Sequence, residues 1–140
     1  MELKTIGAVC SPYKSLADNI PRQGFFSEAE SCIEIAEAFA PALEHIEEHE
    51  WLTVLYWAHL AERDKLVATP PSGTRMCGVF ACRSPGRPNP ISLCVVRLLR
   101  RDGRRLFVRH LDALDGSAVL DLKPYVDAVA LAEKTKKQRL

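Results

Sequence analysis

Two apolar runs, Ile91–Arg100 and Arg105–His110, flank the tetrapeptide Arg101-Asp102-Gly103-Arg104. Asp-Gly between such runs signals a β-hairpin, because a two-residue turn needs a residue that accepts positive φ without steric cost. The chain is thereby committed to antiparallel pairing through this segment. A lone hairpin is marginal in water and needs further strands to cover it. Strands are predicted at Thr5–Cys10, Ser31–Ala36, Trp51–Trp57, Gly78–Ala81 and Ala118–Leu122. The WLTVLYW run at Trp51–Trp57 is β-branched and aromatic, and its near-continuous apolar character predicts burial on both faces.

The stretch Glu37–Glu50 is rich in helix formers, with Phe39, Leu43 and Ile46 at helical spacing, and Pro41 is tolerated only in a first turn. Ala68–Arg75 (ATPPSGTR) reads as a loop and as the segment most open to mobility. The tail Asp127–Leu140 has helical composition and a basic end, KTKKQR. Short strands, one helix and hairpin connections add up to a mainly β fold, a small closed or nearly closed antiparallel barrel. A Rossmann fold is disfavoured: the order is not βαβαβ, and no G-x-G-x-x-G follows a strand.

At 140 residues the chain suits one domain that buries a real core. Its five cysteines, Cys10, Cys32, Cys77, Cys82 and Cys94, are odd in number and scattered, which argues against a disulfide framework and favours buried free thiols. Cys77 and Cys82 have no partner pair at metal-ligand spacing, so no zinc site is expected. The start, MELKTI, lacks a basic n-region and an apolar h-region, and no apolar run is long enough to cross a membrane. A cytoplasmic location is the expectation. Net charge is only +1, so any nucleic-acid surface must be local. Arg83, Arg87, Arg97, Arg100, Arg101, Arg104, Arg105 and Arg109 crowd the second half, and Glu44, Glu47, Glu48 and Glu50 the first. That polarity suggests one basic face for RNA, with a solvated hairpin surface as the plain alternative.

The chemistry concentrates in loops. Arg83-Ser84-Pro85-Gly86-Arg87-Pro88-Asn89-Pro90 cannot form regular structure, and it presents guanidinium and amide groups from a stiff backbone. Pro21-Arg22-Gln23-Gly24 resembles it in kind. Leu111–Ser117 and Asp121–Tyr125 gather carboxylates and a lysine, for which turn capping and a surface ion pair are the plain readings. His59 lies at the end of the WLTVLYW strand, where a histidine is more often structural than catalytic.

Taken together, IGAVCSPY (Ile6–Tyr13), PRQG (Pro21–Gly24), IEI (Ile33–Ile35), GVFACRSPGRPNPISLC (Gly78–Cys94) and LDALDGSAVLDLKPY (Leu111–Tyr125) resemble the TrmO family, also called TsaA-like or YaeB-like. Order and spacing agree from about Ile6 to Tyr125. The departures are small: Cys82 where the family usually has threonine, Ser92 for glycine, Ser117 for threonine. The family's bacterial enzymes commonly carry a further C-terminal domain, whereas this sequence ends soon after KPY.

The resemblance implies a non-Rossmann β-barrel at residues 1–126, followed by a basic tail at 127–140. It implies S-adenosylmethionine bound near a homodimer interface, and N6-methylation of threonylcarbamoyladenosine at position 37 in the anticodon loop of tRNA. The implied cofactor shell is Pro21, Arg22, Gln23, His59, Leu60, Arg83, Leu93, Leu111, Asp112, Ala113 and Leu114. Arg22 or Arg83 would pair with the cofactor carboxylate. Asp112 or His59 would accept the proton of the acceptor nitrogen. Arg87, Asn89, Lys123 and Tyr125 are assigned to substrate, and no metal is expected. Two other readings stand beside this one: methylation of another RNA or a small molecule, and a non-catalytic S-adenosylmethionine-binding module.

Overall fold

A computed structural model describes residues 1–21, 27–70 and 73–139. Among the described residues eight strands form: β1 (Gly7–Cys10), β2 (Glu30–Ile35), β3 (Trp51–Trp57), β4 (Val67–Ala68), β5 (Cys77–Gly78), β6 (Ile91–Asp102), β7 (Arg105–Arg109) and β8 (Ala118–Pro124). Six close into an antiparallel barrel in the order β1-β2-β7-β6-β3-β8, and β8 returns to β1. The short β4–β5 ribbon stands apart from it. Closure removes the open edges that an isolated sheet would expose.

The hairpin forms at the expected place. Asp102 pairs with Arg105, so the turn residues are Gly103 and Arg104, with Gly103 at φ +60°. A glycine first in a two-residue loop matches the strand twist. The barrel is filled by alternation: β2, β3 and β7 each bury every second side chain. Ile33, Val54, Val96, Leu106, Val108 and Val119 are sealed from solvent in the middle. Gly7 is required at its position, because a Cβ there would overlap the Glu34 carbonyl. Two irregularities bend the wall: one on β6 between Leu98 and Arg100, and one where β8 passes Leu55 and Tyr56 of β3.

Several sequence expectations are corrected. β3 is not buried on both faces. Leu52, Val54 and Tyr56 point into the core, while Trp51, Thr53, Leu55 and Trp57 remain half-exposed on the outer wall. The Glu37–Glu50 helix is instead two 3₁₀ helices, Glu37–Leu43 and Ile46–Glu48. Pro41 lacks an amide for an α-helical ladder, and His45 takes a left-handed φ of 69° that breaks the run. The strand expected at Gly78–Ala81 is the end of β5 followed by a 3₁₀ turn, Val79–Ala81. None of the five cysteines is in a disulfide, yet only Cys94 is buried. The tail forms the α-helix α1 (Ala128–Arg139), and none of its residues is buried. Among the described residues no helix is long and apolar enough to cross a membrane.

Candidate functional site

The barrel has two unlike ends. At one end β3 finishes, β6 begins, and the segment from His110 to Ser117 folds across. Leu111 and Ala113 insert into the core, and Asp112 between them is half-buried. His110 supports the turn with a positive φ of 77° and stacks on Trp51 at 6.1 Å. Cys94, wholly buried on β6, donates its thiol to the His110 carbonyl at 3.1 Å and accepts the Asp112 amide. The Tyr56 hydroxyl donates to Asp112 Oδ1 at 2.8 Å, and Ser92 is its cross-strand partner.

The electrostatics follow from this packing. Burial, and then the Asp112 charge, push both the Tyr56 hydroxyl and the Cys94 thiol well above their usual ranges. Both groups therefore stay protonated, and Tyr56 remains a donor to Asp112 at neutral pH. Arg83 acts on Cys94 in the opposite sense, drawing the thiol down. The Arg83 cation and the Asp112 anion thus act on the same buried sulfur in opposite senses.

The Arg83–Pro90 loop is stiffened by its own contacts. The Arg87 guanidinium donates to the Val79 carbonyl, and to that of Cys82 at 2.8 Å. Its Nε is buried with no partner among the described residues. Arg63 donates to Pro88 O at 2.9 Å and to Asn89 Oδ1 at 3.2 Å, and lies over the Trp57 ring at 5.1 Å. The Arg87 amide reaches Glu62 O, and Ala58 N–H reaches Pro90 O. The turn after β3 and the proline-rich loop therefore form one rim.

Of the residues singled out from sequence, Arg83, Asp112, His59, Leu60 and Leu93 lie on the elements of this end. His59 and Leu60 are exposed in the turn after β3, which ends two residues earlier at Trp57. Leu93 is exposed on the outer wall of β6. The Leu111 and Ala113 side chains are core, and the Ala113 and Leu114 carbonyls already accept from Ser11 and Ser117. Arg87 and Asn89 are anchored as described. Pro21 is half-buried, whereas Arg22 and Gln23 lie outside the described residues.

Lys123 and Tyr125 lie elsewhere. Lys123 pairs with Asp121 at 3.1 Å beside Thr53, and the Tyr125 amide bonds Trp51 O. Lys123 lines the cavity at the other end of the barrel, and neither residue belongs to the Tyr56–Asp112 network. Sequence reasoning missed Tyr56, Ser92, Cys94 and Arg63. The β3 and β6 alternation, which puts a tyrosine and a cysteine on the inner face, was the available signal for Tyr56 and Cys94.

The other end of the barrel is a half-open funnel of about 360 Å³ under the 3₁₀ segment, in which Ile6, Ile35, Leu52 and Leu122 form the floor and Glu44, His45, His49, Asp121 and Lys123 also line the wall. No group of three or more metal-ligating side chains occurs among the described residues.

The basic face is also corrected. Arg97 pairs with Glu50, Arg100 with Glu30, Arg101 with Glu47, Arg105 with Glu34 and Arg109 with Glu28. Arg104 donates to Ile35 O. The β2–β7 register sets Glu30 opposite Arg109 and Glu34 opposite Arg105, so the arginine stripe is neutralised across strands.

A small closed antiparallel barrel with a buried polar network at one end and ordered loops around it belongs to the ligand-binding barrels, not to the doubly wound nucleotide folds. Over residues 8–130 the chain matches the tRNA-methyltransferase O N-terminal domain family, and it belongs to that family. An "S-adenosyl-L-methionine-binding protein" of Archaeoglobus fulgidus is 54% identical over 125 residues, covering 89% of both chains. A "putative S-adenosylmethionine-dependent methyltransferase RcsF" of Pseudomonas aeruginosa is 42% identical over 79% of this chain and 52% of its own. Crystalline TrmO from Pseudomonas aeruginosa superposes with a TM-score of 0.76 at 32% identity, over 92% of this chain and 57% of that one. The chain thus spans a little over half of the solved TrmO chain.

Proposed function

We propose that the chain binds S-adenosylmethionine at the Arg83–Asp112 end of the barrel and methylates N6 of threonylcarbamoyladenosine at position 37 of tRNA. The observation that carries this reading is the Tyr56–Asp112–Cys94 network, which fixes one carboxylate at the end bearing the family's longest motif. The donor set fits the cofactor. Arg83 offers a planar cation for its carboxylate. The Asp112 charge complements a sulfonium. Exposed Leu60 and Leu93 supply apolar contact. Pro21, Arg22, Gln23, His59 and the segment Leu111–Leu114 complete the shell taken from the family pattern.

The bound cofactor supplies an already activated methyl group. The chain's own work is therefore orientation and proton removal. Asp112, fixed by the Tyr56 hydroxyl, accepts the proton of the acceptor nitrogen. His59, on the exposed rim, is the alternate acceptor, and Arg87 and Asn89 fix the loop against which the nucleoside lies. The outer wall sets Leu55 beside Leu93 and Trp57 beside Ile91, an apolar stripe suited to a two-fold dimer. Lys123 and Tyr125, outside the Asp112 network of their own chain, serve the site through such pairing. Residues 1–126 form the cofactor domain of a cytoplasmic enzyme, and 127–140 its basic tail.

The test is calorimetry with S-adenosylmethionine, followed by incubation with total tRNA and nucleoside mass spectrometry. Methylated threonylcarbamoyladenosine is expected from the wild type and not from Arg83→Ala. A folded, cofactor-loaded protein that leaves tRNA and its nucleosides unchanged would overturn the reading. The Archaeoglobus fulgidus relative named only as a binding protein keeps a non-catalytic module in view. That module would bind the cofactor and release no demethylated product with any acceptor.

A further inference from the structure

If tRNA is the substrate, as proposed above, its backbone must meet a cationic surface of this chain. The barrel offers little free positive charge, because the β6–β7 arginines are matched with glutamates or a carbonyl. The helix α1 differs. No residue from Ala128 to Arg139 is buried against the barrel. Its last two turns carry Lys134, Lys136, Lys137 and Arg139, and none of them forms an ion pair among the described residues. An unsupported helix of this length is marginal in water, so propensity alone is a weak reason for it to persist.

We infer that the cationic half of α1, residues Lys134–Arg139, is a docking element for the phosphate backbone of the tRNA substrate. Charge complementarity commits the surface to a polyanion. The distribution of residues decides which polyanion. A helix that lies on a membrane separates apolar and basic residues around its axis. Here the separation runs along the axis instead. Val129 and Leu131 stand in the first half, and the cations occupy the second half on all sides. At 100° per residue, positions 134, 136, 137 and 139 point in widely different directions. Cations on all sides suit a groove flanked by phosphates rather than a flat lipid surface. The plain alternative is that basic residues merely complement the helix dipole at its C-terminal end, which needs no ligand.

The experiment compares wild-type protein with a variant carrying Lys134→Gln, Lys136→Gln, Lys137→Gln and Arg139→Gln in the full chain. Affinity for unmodified tRNA transcript is measured across a salt series, alongside S-adenosylmethionine calorimetry and binding to vesicles with anionic lipid. With up to four phosphates no longer neutralised, the slope of log affinity against log salt should fall by about 3. Binding should weaken at least tenfold at low salt, while the cofactor isotherm stays unchanged. An unchanged affinity and slope in the variant overturns the inference. So does wild-type binding to vesicles with none to tRNA, and so does a wild type that binds neither. Failure of cofactor binding in the wild type instead condemns the catalytic reading, whatever the RNA result.

Discussion

The two ends of the barrel solve opposite problems. The end under the 3₁₀ segment is closed by Phe39, Leu43 and Ile46, apolar side chains packed onto an apolar core. The end at Asp112 is organised by polar groups whose burial costs free energy unless each is matched: a tyrosine hydroxyl, a thiol and a carboxylate. The first arrangement stabilises the fold. The second holds a charge at a chosen place, which stability alone does not require. Function belongs where the fold accepts that cost.

Substitutions should separate the two ends. The largest expected effect is from Asp112→Asn, with methyl transfer falling about 10²- to 10⁴-fold if Asp112 is the proton acceptor. Its melting temperature should stay close to wild type, since Asn still accepts from Tyr56. At the other end, Leu43→Ala should cost about 2–5 kcal/mol in denaturant unfolding and leave cofactor affinity untouched. If Leu43→Ala weakened cofactor binding directly, the division between the ends would fail. Arg83→Ala should weaken S-adenosylmethionine by about ten- to a hundredfold in calorimetry, as expected for a lost hydrogen bond to a charged group.

A subtler effect concerns alkali. Tyr56 and Cys94 hold their protons more tightly folded than unfolded. In that case stability is fully present below the unfolded values, near 9 for the thiol and 10 for the hydroxyl, and is lost as pH rises beyond them. Chemical denaturation from about pH 8 to about pH 11, a span bracketing both unfolded values, should show that decline, and Tyr56→Phe should flatten its upper part. An identical slope in the variant would show that Tyr56 is not the group responsible.

Much of the fold was legible in the sequence, for identifiable reasons. The hairpin at Gly103 and the alternation of β2 are local patterns, and local patterns survive into the fold. The Glu37–Glu50 segment failed because helix-forming composition outvoted one proline and one left-handed histidine. The arginine stripe failed because charge along a strand says nothing of the strand beside it; the glutamates that neutralise it come from β2 and from segments far away in sequence. At the site, Asp112 and Arg83 stood in conspicuous motifs. Tyr56 did not, because an inward tyrosine in an apolar strand looks like core until its hydroxyl partner is known.

Calorimetric titration of S-adenosylmethionine into wild-type protein, Arg83→Ala and Leu43→Ala is the most direct trial of the whole scheme. Saturable binding to the wild type and to Leu43→Ala, with marked weakening in Arg83→Ala, is the expected result. Equal binding in all three proteins, or no binding to a folded wild type, would contradict a cofactor site at the Asp112 end.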